Sequence, residues 1–335
     1  MISLSIIIVN YKTPLLIVDC VRSIKNQTKN ISYEIIVADN LSNDDSKEII
    51  CNEFPDVVWL QMEYNAGFAR ANNAGIRISK GDVVLLLNPD TIVVDDAIEK
   101  CYLRFIKSAF VACGVQLLNP DNTPQISGNF FMKGGLNHLL ALPYLGPFLR
   151  TIAFAIKVKK TNVPQASAEE KVDWVNGAYL MVKKSAINQA GLLDEDFFLY
   201  SEEIEWCSRL LRVGEMCIYG DLHVIHIQGE TINKETQTID KGYSNLYDNK
   251  GLQLMVSNHL RIKKQFGSGW LLFHLIISTI EIPIYAAGSF FDNLFHSRNP
   301  FNDRKKVKGF TKNVFNVWQL LPKILSGKPH FYKMF

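Results

Sequence analysis

Four polar clusters in the first part of this sequence carry side chains suited to chemistry. They are Asn10-Tyr11-Lys12-Thr13; Asp39-Asn40 with Ser42 and Asp44-Asp45; Asn65-Ala66-Gly67-Phe68 followed by Asn72-Asn73-Ala74-Gly75; and Asn88-Pro89-Asp90-Thr91. A carboxylate can accept a hydrogen bond from the N–H of a nucleotide base, and an aromatic ring can stack on that base. A second carboxylate can hold the divalent ion that neutralises a diphosphate. One such cluster is ordinary turn composition, because Asn and Asp favour turns. Four in register point to a nucleotide.

The register must come from the elements that precede each cluster. Residues 4–9, 34–38, 57–61 and 83–87 are short apolar or β-branched runs, read as strands, the first and last buried on both faces. Helical patterns separate them. Thr13-Pro14 reads as a cap followed by proline at the first helical position, with Leu16, Ile17, Cys20, Val21 and Ile24 on one apolar face. Asn43 and Asp44 are candidate caps for a helix through Phe54, and residues 69–78 and 95–106 are helical. With strands at 110–115 and 218–227, this alternation predicts an α/β fold with a mostly parallel sheet flanked by helices. In such sheets ligands bind at the carboxyl ends of the strands, where all four clusters fall. Residues 119–171 lose the pattern: a turn-rich Asn119-Pro120-Asp121-Asn122 leads into an apolar stretch, 136–156, read as an insertion with a greasy surface.

Composition excludes other classes. The 335 residues are 47% hydrophobic with a net charge of +3, too apolar for disorder and without the basic, aromatic-interleaved surface that nucleic acid requires. The six cysteines form no CxxC pair and read as reduced, buried small hydrophobes. The apolar residues 2–9 are too short for a secretion signal and lack a basic flank and cleavage site. No GxGxxG or P-loop follows the first strand, and the Gly-rich basic loop of a nucleotidyltransferase is absent there.

The motifs resemble family 2 glycosyltransferases of the GT-A, Rossmann-like fold. The likeness rests on Ile6-Ile7-Ile8-Val9-Asn10-Tyr11, Val37-Ala38-Asp39-Asn40, Asn65-Ala66-Gly67-Phe68-Ala69 and Leu85-Leu86-Leu87-Asn88-Pro89-Asp90-Thr91. It continues through Trp174-Val175-Asn176-Gly177-Ala178, Gly191-Leu192-Leu193-Asp194-Glu195-Asp196-Phe197-Phe198, Ser201-Glu202-Glu203-Ile204-Glu205 and Val224-Ile225-His226. The Asn-Pro-Asp-Thr form is similar to the rhamnosyltransferase-like branch. The resemblance implies that Asp39 contacts the donor base and that Asp90 is the last acid of a DxD-like metal motif, with Asn88 in the place of its first Asp. It implies that Glu203 matches the Asp of the family's Glu-Asp pair, the general base. His226, with Gly229 and Thr231, matches a histidine that closes over diphosphate or metal. Asn10, Tyr11, Asn65, Gly67 and Asn72 complete the donor side, although Asn72 stands where many relatives carry arginine. Trp174, Gly177, Ala178 and Glu202 fall on the acceptor side. The bland alternatives are turn caps for Asp39 and Asp90, a core histidine for His226, and a solvated first helical turn for Glu202, Glu203 and Glu205.

The activity implied is inverting sugar transfer, assisted by Mn²⁺ or Mg²⁺, from a nucleotide-sugar donor to a lipid-linked or polysaccharide acceptor. The branch suggests rhamnose from dTDP-rhamnose. UDP-hexose and galactofuranose donors stay open, as does a degenerate, non-catalytic binding subunit. Expected domains are a transferase domain over 1–266, divided at 115 into nucleotide and acceptor halves, and a C-terminal apolar and basic helical region over 267–335. Residues 270–295 form the most apolar stretch, long enough to cross a bilayer but interrupted by His274, Glu281 and Pro283, and a helix pair lying in the membrane interface is expected. Residues 290–335 carry nine Lys or Arg against Asp292 and Asp303, a composition drawn to anionic headgroups. Together these predict a peripheral or monotopic protein on the cytoplasmic face of the inner membrane.

Overall fold

The β-branched run near the N-terminus forms β1 (Leu4–Asn10), buried along its whole length. A computed structural model describes residues 2–158, 160–227 and 245–335. After β1 come α1 (Pro14–Gln27), β2 (Tyr33–Asp39), α2 (Ser46–Glu53), β3 (Val58–Gln61), α3 (Gly67–Ile78), β4 (Val83–Leu87), β5 (Thr91–Val93), α4 (Ala97–Phe105) and β6 (Ala112–Leu118). Next are β7 (Gly128–Asn129), a 3₁₀ segment (Lys133–Ala141), α5 (Leu145–Ala155), β8 (Asn162–Val163), β9 (Glu169–Val172), β10 (Trp174–Val175) and β11 (Tyr179–Lys183). Helices α6 (Lys184–Ala190) and α7 (Glu202–Leu210) then lead to β12 (Met216–His226). Pro14 opens α1 as expected, but Thr13 does not cap it: its hydroxyl turns back to Asn10 Oδ1 at 3.3 Å.

The main sheet runs β3-β2-β1-β4-β11-β6-β12-β5, with β9 also along β12. Strands β3, β2, β1 and β4 are mutually parallel, so their carboxyl ends share one edge; β11 is antiparallel between β4 and β6. Strand β12 is irregular between Tyr219 and His223. Its first half pairs with β9 and its last three residues pair with β5, His226 opposite Thr91. A bulge of this kind redirects a strand. Here it carries the tail of β12 to the turn that follows β4. The core on either side of the sheet is aliphatic, and Cys20, Cys101, Cys113, Cys207 and Cys217 are buried within it.

The chain divides into two compact units. The first comprises Met1–Phe130, Asn162–Phe198 and Glu202–Thr231, and the second Phe131–Thr161, Leu199–Ser201 and Ile232–Phe335. In the second unit, helices Asn249–Phe266, Ser268–Phe295 and Arg304–Ser326 pack on one another, and the apolar insertion joins them. The expected helix pair over 270–295 is instead one 28-residue helix. Pro283 removes a single ladder bond, and packing against both neighbouring helices keeps the rod continuous. Its buried face is Leu271, His274, Leu275, Ser278, Glu281, Tyr285, Ser289 and Asn293, and its exposed face holds Leu272, Phe273, Ile276, Ile280, Phe291, Leu294 and Phe295. Glu281 is fully buried and accepts from the backbone N–H groups of Tyr144 (2.6 Å) and Leu145 (3.1 Å), capping the start of α5. Its carboxyl group therefore lies inside the unit, not on the outer face.

Candidate active site

At the shared edge, Asn10, Asp39 and Gln61 stand side by side on β1, β2 and β3. Asp39 is 3% exposed and both of its oxygens are engaged. Asn10 Nδ2 (2.7 Å) and Ser42 Oγ (2.5 Å) donate to Oδ1, and Ser42 N (3.0 Å) and Gln61 Nε2 (2.8 Å) donate to Oδ2. Gln61 is exposed, so it is the donor a ligand can replace most readily. The neighbouring Asn40 side chain accepts from Ala66 N and donates to Gly67 O, fixing the turn that starts α3. Gly67 has φ +71°, and a Cβ there would lie 2.1 Å from the Phe198 carbonyl, which instead accepts from Phe68 N. Only glycine fits that approach. Asn65 supports the same turn by accepting from Gly67 N. Asn73, Arg70 and Arg77 of α3 then hold Leu193–Glu195 by side-chain hydrogen bonds, tethering the segment that leads to α7.

The second group forms where β4 meets β5. Asp90 lies in the turn between them, and the pairing of His226 with Thr91 brings the imidazole to it: His226 Nε2 is 3.4 Å from Asp90 Oδ1 and 3.3 Å from Asn88 Nδ2. Ile227 N donates to the Asp90 carbonyl and extends the ladder. Asp90 and His226 are 9% and 5% exposed. Behind the imidazole stands Gln125, whose Oε1 is 2.9 Å from His226 Nδ1. Gln125 was not singled out by sequence; the turn at Asn119–Thr123 that delivers it was legible only as a turn.

The third group follows directly from the second. Asn88 N donates to Ala178 O at 3.0 Å, and the adjoining Gly177 lies under Glu203, whose Cβ and Cγ would be 3.4 Å from an added Cβ. The three acids of α7 have different surroundings. Glu205 is buried and paired with Arg209 through three hydrogen bonds. Glu202 is 4% exposed with no partner for Oε2, and burial, aided by the Glu203 charge, raises its pKa well above the ordinary carboxylate range. Glu203 is only half-buried. The Tyr200 and Ser201 backbones before α7 are both left-handed, φ +71° and +68°, a strain of about 1–3 kcal/mol each.

Other sequence candidates sit differently. Trp174 is half-buried and packs against the core. Tyr11 is half-buried, with the Lys12 ammonium 4.9 Å from its ring centre. Asn72 is 1% exposed and donates to Phe68 O within its own helix. Gly229 and Thr231 lie outside the described residues. For a divalent ion, Asp90 and His226 supply one carboxylate and one imidazole. The described residues contain no cluster of three or more His, Cys, Asp or Glu fit for a metal. An ion such as Mn²⁺ held by that pair would take its remaining ligands from diphosphate and water.

The Glycosyl transferase family 2 model matches residues 5–160. The low-salt glycan biosynthesis hexosyltransferase Agl10 of Haloferax volcanii is 30% identical over 235 residues, 66% of this chain and 66% of that protein. The rhamnosyltransferase WbbL of Escherichia coli K12 is 27% identical, over 58% of this chain and 72% of its own length. The N-acetylglucosaminyl-diphospho-decaprenol L-rhamnosyltransferase of Mycobacterium tuberculosis is 25% identical, over 60% and 68%. The chain thus spans about two thirds of the length of the archaeal relative. A crystal structure of GalNAc-T7 with UDP, GalNAc and Mn²⁺ superposes with a TM-score of 0.51 at 15% identity, covering 68% of this chain and 44% of that one, which is a likeness of fold. Sheet, motifs and relatives agree: the chain belongs to the family 2 glycosyltransferases, with a GT-A-like fold and rhamnosyltransferase-like motifs.

Proposed function

We propose that this chain transfers a sugar, with inversion, from a nucleotide-sugar to a lipid-linked or polysaccharide acceptor, and that dTDP-rhamnose is the donor. The carrying observation is that the Asp90–His226 pair and Glu203 share one edge of the sheet, linked through Asn88, Ala178 and Gly177. In this reading the base docks at Asp39 by displacing the Gln61 amide. Asn88, Asp90 and His226 face the diphosphate, and a divalent ion bound by Asp90 and His226 would neutralise it and stabilise the departing charge. Glu203 takes the proton of the acceptor hydroxyl as that oxygen attacks the anomeric carbon. The transition state is oxocarbenium-like, with no covalent enzyme intermediate. Glu202 is buried whereas Glu203 is half-buried beside Gly177, so Glu203 is the acid at the start of α7 that an acceptor can reach. The rhamnosyl donor is supported by two relatives named for rhamnosyl transfer, one of them acting on a diphospho-decaprenol sugar.

The lipid-linked acceptor fits the second unit. A helix with polar residues inside and large apolar ones outside suits a membrane surface better than water. The exposed Arg304, Lys305, Lys308 and Lys312 beside it add headgroup attraction. In this reading the chain rests on the cytoplasmic face of the membrane, peripheral or monotopic. A thermal-shift series over dTDP-rhamnose, UDP-hexoses and UDP-galactofuranose with Mn²⁺ tests the donor. The largest rise in melting temperature is expected for dTDP-rhamnose, and a larger rise with a UDP-sugar would replace it.

A further inference from the structure

We propose that Gln125 is the positioning residue that holds His226 in the Nδ1–H tautomer, so that the Nε2 lone pair faces Asn88 and Asp90. The orientation of the amide settles the tautomer. One end of the Gln125 amide is 2.7 Å from the backbone carbonyl of His226 and 2.8 Å from Asn119 Oδ1. A backbone carbonyl only accepts, so that end is the NH₂. The other end, 2.9 Å from His226 Nδ1, is then the carbonyl oxygen, which cannot donate. The proton must sit on Nδ1. Turning the amide over would set its oxygen against the His226 carbonyl, and moving the proton to Nε2 would set two lone pairs against each other at Nδ1.

Asn88 Nδ2, 3.3 Å from Nε2, can donate into that lone pair. A cation between Nε2 and Asp90 Oδ1 would use it instead. Gln125 is 9% exposed and locked from behind: its backbone N–H bonds Leu117 O, and the Asn119–Thr123 turn is closed by Asn119 N to Thr123 O at 2.8 Å. The amide is thus set by backbone and turn before any ligand arrives, and the imidazole inherits its direction. The tautomer stands on geometry alone; the use of the lone pair for a metal rests on the proposed function. Outer partners of this kind typically change metal affinity by about 10–100-fold.

The test is imidazole ¹⁵N NMR of the intact, metal-free protein at pH 8, with the His226 signal assigned by its loss in His226→Gln. Wild type should show a protonated Nδ1 and an unprotonated Nε2. Gln125→Leu should lose that preference. A wild-type ring protonated at Nε2, or a tautomer unmoved in Gln125→Leu, would overturn the assignment, and the wild-type spectrum alone decides it if the leucine variant does not fold. Mn²⁺ titration with dTDP present is the separate arm. Weakening by about 10–100-fold in Gln125→Leu is expected. Unchanged Mn²⁺ affinity despite a changed tautomer would overturn the role of Gln125 toward the metal. A wild type that binds no Mn²⁺ while showing the Nδ1–H tautomer would sink the metal reading and leave Gln125 in place.

Discussion

The two units of this chain use apolar sequence in opposite ways. In the first, runs such as β4 are buried to the last residue, and polarity is kept for the strand ends. In the second, the helix Ser268–Phe295 is only 33% buried over its most apolar window, and its polar residues His274, Ser278, Glu281, Ser289 and Asn293 face inward. The first unit gathers its polar side chains at the carboxyl edge of the parallel strands. The second is built to leave hydrophobic surface outside. An equally apolar run can therefore be core or contact surface, and what separates them is which face the few polar residues take.

The contrast breaks first at Glu203. Glu203→Gln should lower turnover by about 10²–10⁴-fold with donor affinity nearly unchanged; a steady-state kcat and KM comparison reads both, and an unchanged kcat removes Glu203 as the base. On the other unit, Ile276→Glu with Ile280→Glu should cut binding to anionic vesicles at least tenfold, since each buried apolar side chain contributes roughly 1.5–3 kcal/mol. Sedimentation with vesicles measures it; undiminished binding would mean this face does not touch lipid. Replacing Lys305, Lys308 and Lys312 by Glu should make the remaining binding less sensitive to salt. Glu281→Ala should destabilise the protein by about 1–3 kcal/mol, because two α5 N–H groups lose their acceptor. A thermal melt unchanged by that substitution would show that water replaces the cap.

The smallest effect concerns pH. The Glu202 pKa is raised in the folded state, so between the ordinary glutamate range and that raised value the folded protein binds more protons than the unfolded chain. Stability attributable to this group is then full at low pH and lost as pH rises through that window. Glu202→Gln should flatten the loss and raise the melting temperature slightly at neutral pH. A steeper pH dependence in the variant would contradict the raised Glu202 pKa.

Much of the carboxyl edge of the parallel strands was legible from sequence. Fully apolar runs at 4–9 and 83–87 leave little choice but buried strands, and parallel pairing puts Asn10, Asp39 and Asn88 at one edge. What sequence hid was pairing at long range. The bulge that turns β12 toward β5, and so sets His226 beside Asp90, has no local signature. Gln125 acts through a partner 101 positions away and looks like any turn-flanking glutamine. The acids of α7 read alike, yet burial raises the Glu202 pKa, Arg209 occupies Glu205, and Glu203 stays half-buried. From sequence Glu281 reads only as an interruption of an apolar run, whereas in the fold it caps the start of α5 inside the unit.

The central claim is that sugar transfer runs at the turn between β4 and β5. The most direct measurement is nucleoside diphosphate release from the best-binding donor, with saturating Mn²⁺ and an acceptor, by wild type and Asp90→Ala side by side with their melting curves. Wild type should show Mn²⁺-dependent release and Asp90→Ala none above background, with the fold intact. Release by Asp90→Ala within about threefold of wild type, less than the 10²–10⁴ a catalytic group typically supplies, would contradict it.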